Sequence, residues 1–165
     1  ETRLMWRSRT RTDPAPGTPR GFTLVEVLVV VAIIGTLAAI AVPNFIEVLE
    51  ESHQASAIED LKFIEARIFE FEAMHGRFPD SLDELGVPLP LDPWGRPYVY
   101  LRIHGADDPS GHWRKDRFQV PINDDFDLYS VGPDGKSTSP LTADISQDDI
   151  IRGGNGSFFG TAADY

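Results

Sequence analysis

Glu26 is the only charged residue in FTLVEVLVVVAIIGTLAAIAV, residues 22–42. A charged side chain in a membrane helix costs about 2.5–3.5 kcal/mol at the bilayer centre and less near an end, so such a residue is functional by default. A second group, Asp107, Asp108, Asp124, Asp125 and Asp127, offers the paired carboxylates used in general acid–base work. These acids fall in turns, with no predicted pocket and no companion nucleophile. His53, His75, His104 and His112 show neither HExxH nor any other zinc spacing, and the chain has no Walker loop and no dinucleotide fingerprint. The expectation is a protein that is not an enzyme.

The chain has 165 residues and a formal charge of -11, unevenly distributed. The first 21 residues carry five arginines against Glu1 and Asp13, which leaves the remainder more acidic than the whole. Such a surface repels nucleic-acid phosphates, so nucleic acid is excluded as a partner. The absence of cysteine excludes disulfides and thiolate metal sites.

Three textures follow one another along the chain. Residues 1–20 are basic and rich in Pro, Thr and Ser, and predict a disordered leader. As a helix, residues 22–42 reach roughly 32 Å at about 1.5 Å per residue, enough for a hydrocarbon core about 30 Å thick. Beyond Pro43 the helical pattern continues: Ala57, Leu61, Ile64, Ile68 and Phe71 recur at steps of four and three and form one apolar face. Gly76 is the natural stop, giving a single helix from Phe22 to His75. In the punctuated remainder, FPDSLDELGVPLPLDPWG predicts a loop with a short helical turn capped by Asp80 or Ser81. RPYVYLRIH, RFQVPI and FDLYSV are three strand candidates for a small antiparallel sheet that covers the amphipathic half of the helix. The tail from Gly132 to Tyr165 carries no regular element with a clear pattern.

Composition alone leaves the apolar run open to two ordinary readings. Ala39-Ile40-Ala41 supplies the small residues of a signal-peptide cleavage site, although the run exceeds the usual length of ~7–15 residues. A single-span anchor accounts for everything except Glu26. With arginines only on the amino side, the positive-inside bias places the leader in the cytoplasm.

RGFTLVEVLVVVAIIGTLAAIAVP resembles the processing site and first helix of type IV pilins and type II secretion pseudopilins, the prepilin peptidase substrates. The resemblance implies removal of a leader, residues 1–21, by cleavage between Gly21 and Phe22, and N-methylation of Phe22. It gives Glu26 a role in subunit assembly, its carboxylate neutralising the new amine of a neighbouring protomer. Such a pair relieves each charge's desolvation and fixes register, even where net stabilisation is small.

DPWGRPYVY (92–100), FDLYSVGPDG (126–135) and ADI (143–145) resemble, together, the major pseudopilin of type II secretion systems. Packing of Trp94, Tyr98 and Tyr100 against the helix is expected, with Pro93, Gly95 and Pro97 setting the turn. The resemblance implies calcium as cofactor, held in the acidic loop by Asp134 and Asp144, with Ser137 and Asp149 as further candidates and carbonyls near Leu128, Ser130 and Leu141 completing the shell. The spacing is not that of an EF-hand.

The fold class implied is α+β and pilin-like. The order is a transmembrane and filament-core helix (22–42), its amphipathic continuation (43–75), and a periplasmic globular region (76–165). The function implied is that of a structural subunit of a periplasmic pseudopilus, a homopolymer that drives export of folded proteins. Its partners would be minor pseudopilins, prepilin peptidase, and an inner-membrane assembly platform with its ATPase. The location would be the inner membrane, single-pass, with the N-terminus cytoplasmic and the C-terminal region periplasmic. The alternative is a type IV pilin of an extracellular fibre for adhesion, motility or DNA uptake.

Overall fold

The structure, a computed structural model, describes residues 21–106 and 112–165. The predicted leader (1–20) and the pair Asp107 and Asp108 lie outside the described residues. The chain divides at Pro43 into two units, the second running from Asn44 to Tyr165.

Helix α1 spans Leu24–His75, starting two residues later than its sequence pattern suggests. Thr23 explains the start: its Oγ1 accepts the Glu26 N–H at 3.2 Å, satisfying one amide that the first helical turn leaves without an intrahelical partner. Pro43 lies inside the helix and does not end it. The end comes at Gly76, whose φ of +70° suits a residue without Cβ and whose N–H donates to Glu72 O at 2.8 Å.

In the second unit, four strands form one antiparallel sheet in the order β1-β2-β3-β4: β1 Val99–Arg102, β2 Phe126–Ser130, β3 Ile150–Gly153 and β4 Phe158–Thr161. β1 and β2 are two of the expected strands, paired from Val99 with Tyr129 to Arg102 with Phe126. The third expected strand, RFQVPI, does not form. Residues 116–119 instead close a tight turn, with Asp116 and Gln119 exchanging backbone bonds of 3.0 and 2.7 Å, and Pro121 has no N–H to give a ladder. β3 and β4 come from the tail that shows no clear pattern. They join through Gly154-Asn155-Gly156, all at positive φ, where two glycines avoid the steric penalty of that region.

Ala57, Leu61, Ile64, Ile68 and Phe71, the periodic face of α1, are its buried residues. The first four pack with Tyr98, Phe126, Leu128 and Ile150 into the main core. Alternation along β2 sends Phe126 and Leu128 into this core, while Tyr129 joins a second cluster of Ile122, Leu141, Ile151 and Ala162. The sheet is thus covered on both faces: by the helix on one, and by loop and tail residues on the other. The LDEL turn is a 3-10 helix, Leu82–Leu85, preceded by Ser81, which makes no side-chain cap bond.

Candidate functional site

The first unit presents its chemistry at one end. Gly21 and Phe22 precede the helix, and Glu26 lies in its first turn, where a carboxylate suits the partial positive charge of the helix N-terminus. Every described residue from Gly21 to Pro43 is exposed, including Phe22 at 79% and Leu24 at 80%. The stretch forms part of a helix long and apolar enough to cross a membrane. So large a continuous apolar surface needs lipid or other helices around it.

The second unit presents the acidic loop. Its residues are organised by an arginine absent from the expected set. Arg114 is 2% exposed and its guanidinium reaches three groups of the loop. Nη1 donates to Ser137 Oγ and Thr138 O, both at 2.6 Å, and Nη2 donates to Asp149 Oδ2 at 2.5 Å. Ser137 completes the triangle by donating to the same Asp149 oxygen at 2.6 Å. The Tyr129 ring lies 4.4 Å from the guanidinium carbon, and the Arg114 N–H donates to Asp127 Oδ2 at 2.7 Å. Burial pushes the Asp149 carboxyl up to about 6, against Ser137 and Arg114, which pull it down. Burial also raises Asp127, opposed by its bonds from the Arg114 N–H and Asn123.

Of the four expected calcium ligands, the structure brings Ser137 and Asp149 together, but around a guanidinium. Asp134 is exposed, its Oδ1 accepting the Lys136 N–H at 2.7 Å, and Asp144 is exposed in the short 3-10 turn Asp144–Ser146. Among the described residues, no three of His, Asp or Glu are grouped to hold a metal ion. Asp149 Oδ1 is buried without a hydrogen-bond partner, one oxygen where calcium takes six to eight. Like unit charges 4 Å apart at an effective dielectric near 20 repel by about 4 kcal/mol, and a divalent ion doubles that against Arg114. The donor set at Asp149 therefore does not fit calcium.

Asp124 and Asp125, of the paired-carboxylate group, have structural partners. Asp125 takes Arg152 Nη1 and Nη2 at 2.9 and 2.7 Å, and Glu65 of α1 takes Arg152 Nε at 2.6 Å. Burial works to lower the Arg152 pKa, but the bonds to Asp125 and Glu65 prevail and raise it. Asp124 accepts from Asn155 Nδ2 at 3.2 Å.

Two of the three sequence blocks resembling a major pseudopilin, 92–100 and 126–135, hold each other. Asp92 Oδ1 accepts the N–H groups of Trp94 and Arg96, closing the DPWGR turn, while its Oδ2 accepts the Ser130 hydroxyl at 2.6 Å. Arg96 in turn donates to the carbonyls of Gly132 and Pro133. Tyr98 is buried against α1, its hydroxyl donating to Asp60 at 2.9 Å, and Trp94 packs beside the core with its ring edge on His53. The roles of Arg114 and Arg152, and the reach of Asp92 and Arg96 to residues 130–133, leave no local spacing to read because their partners are distant in the chain.

Residues 19–42 match the prokaryotic N-terminal methylation motif. The chain is 33% identical over 137 residues to the type II secretion system core protein G of Pseudomonas aeruginosa, covering 70% of this chain and 84% of that protein. The chain belongs to the type II secretion system core protein G family. The core protein G of Escherichia coli K12 is 30% identical over 140 residues, and that of Dickeya chrysanthemi 28% over 137. The type IV major pilin PilA of Myxococcus xanthus is 46% identical, but over 67 residues that cover only 30% of it. No solved structure matches. Within the core protein G family the long helix and antiparallel sheet have a ready purpose, since one half is built to be surrounded and the other to hold itself together.

Proposed function

We propose that the chain is a structural subunit of the pseudopilus of a type II secretion system, anchored in the inner membrane by α1 until it polymerises. The observation that carries this reading is the methylation motif at the start of an exposed apolar helix, joined to a globular unit with core protein G relatives. Cleavage between Gly21 and Phe22 leaves Phe22 as a cationic amine beside the first helical turn. Glu26 of one protomer meets that amine on the next, so two charges that are costly alone become tolerable together. The leader is cytoplasmic, the globular unit periplasmic, and the filament a homopolymer that drives folded proteins outward. The partners are prepilin peptidase, minor pseudopilins, and an assembly platform whose ATPase supplies the work.

Membership of the core protein G family favours secretion over the alternative of an extracellular type IV fibre, since PilA is matched over less than a third of its length. Mass spectrometry of the membrane-extracted chain tests the processing step. A mature protein beginning with methylated Phe22 is the expected result, and one that retains the arginine-rich leader overturns it.

A further inference from the structure

We infer that Arg114 is a built-in cation for the C-terminal loop: its guanidinium does with one residue of the chain what a divalent ion would otherwise do. The loop spanning residues 132–149 needs a positive centre because its inward groups are acceptors. Asp149 is fully buried, the Thr138 carbonyl points to the same place, and the Ser137 hydroxyl spends its proton on Asp149. Gathering three oxygen groups around a void would leave the buried Asp149 either uncompensated as a carboxylate or forced to take up a proton, and both cost stability near neutral pH. Arg114 supplies the charge and at the same time three directed N–H bonds, with Tyr129 stacked against it.

The backbone delivers that guanidinium to a fixed place. Lys115 N–H donates to Ser139 O at 3.1 Å, Leu141 N–H donates to Lys115 O at 2.9 Å, and Ile122 N–H donates to Arg114 O at 3.0 Å. These bonds lace the segment around Arg114 to the loop on one side and to Ile122 on the other. The Arg114 N–H itself is fixed on Asp127 of β2. A cation on a tethered, oriented side chain carries no dissociation equilibrium, so loop order becomes independent of the concentration of free ions.

The test is thermal unfolding of the full-length chain in detergent micelles, followed by circular dichroism, with excess EGTA or with millimolar calcium. The wild type is expected to melt within about 1 °C under the two conditions. Arg114→Ala is expected to melt about 10 °C lower in EGTA. It should recover part of that loss in calcium, because the three oxygen groups then face an unneutralised hole. Calcium titration calorimetry on the wild type provides a measurement that does not depend on the variant folding, and no saturable heat is expected. A calcium-dependent rise of several degrees in the wild type, abolished by Asp134→Ala or Asp144→Ala, would overturn the inference. Equal melting of Arg114→Ala and wild type in EGTA would also overturn it. None of these readouts involves polymerisation, so failure here leaves the proposed pseudopilus role standing.

Discussion

The described residues 21–43 and those from Asn44 onward treat charge and grease in opposite ways. In the first stretch the apolar side chains are exposed and the single carboxylate, Glu26, has no oppositely charged partner among the described residues. In the second, an apolar core lies inside, and the buried arginines are paired: Arg114 with Asp149, and Arg152 with Glu65 and Asp125. One region is complete as a single chain, whereas the other becomes complete only among lipids or other helices. The difference separates two kinds of residue, those whose loss unfolds the subunit and those whose loss leaves a well-folded subunit with nothing to join.

The sharpest way to break that contrast is at Glu26. Glu26→Ala is expected to lower the yield of pelletable filament by about tenfold or more while leaving the melting temperature in detergent unchanged. Filaments at wild-type yield would end the assembly role. Arg152→Met should do the reverse: with Glu65 and Asp125 deprived of their shared cation, stability falls by about 3 kcal/mol in urea titration. Secretion would then fail only through loss of folded subunit.

A matched pair of truncations sharpens the same line. Leu61→Ala removes a core side chain that is 0% exposed and should cost about 2–5 kcal/mol, measurable by chemical denaturation. Ile33→Ala, at a residue 54% exposed, should leave the melting temperature within about 1 °C. Equal effects would show that the first region has an internal core after all.

A modest effect is expected from pH. Asp149 keeps its proton up to about 6 in the folded chain, against an ordinary 3.8, because burial disfavours the carboxylate. The folded state binds that proton more tightly, so the stabilisation is fully present below the unfolded pKa and is lost as pH rises through 6. Asp127, raised by burial as well, acts in the same sense. Mild acidification from about pH 7 to about pH 5 should therefore raise the melting temperature by a few degrees, and by less in Asp149→Asn. A fall in that interval would show that pairing with Arg114, rather than burial, governs Asp149.

What could be read from the sequence was whatever depends on near neighbours. The span of α1 and its stop at Gly76 follow from local periodicity and backbone preference, as does the buried face Ala57-Leu61-Ile64-Ile68-Phe71. β1 and β2 were legible because aromatic and β-branched residues cluster there. β3 and β4 were not, although Gly154-Asn155-Gly156 between IIR and SFFG is a usable hairpin signal. Their short apolar runs are embedded in Asp, Gly and Ser, and the pairing of β3 with β2 across the chain, and of β4 with β3, is what makes them strands.

The sequence by itself determined the processing motif, the helix with its single carboxylate, and the family, because each is a pattern of closely spaced residues. The tertiary structure alone decided where the acids of the loop went. Asp149 and Ser137 carry no local sign that Arg114, more than twenty residues before them, will meet them. A cation site is a meeting of distant groups, and only folding decides whether the charge at its centre is an ion or a side chain.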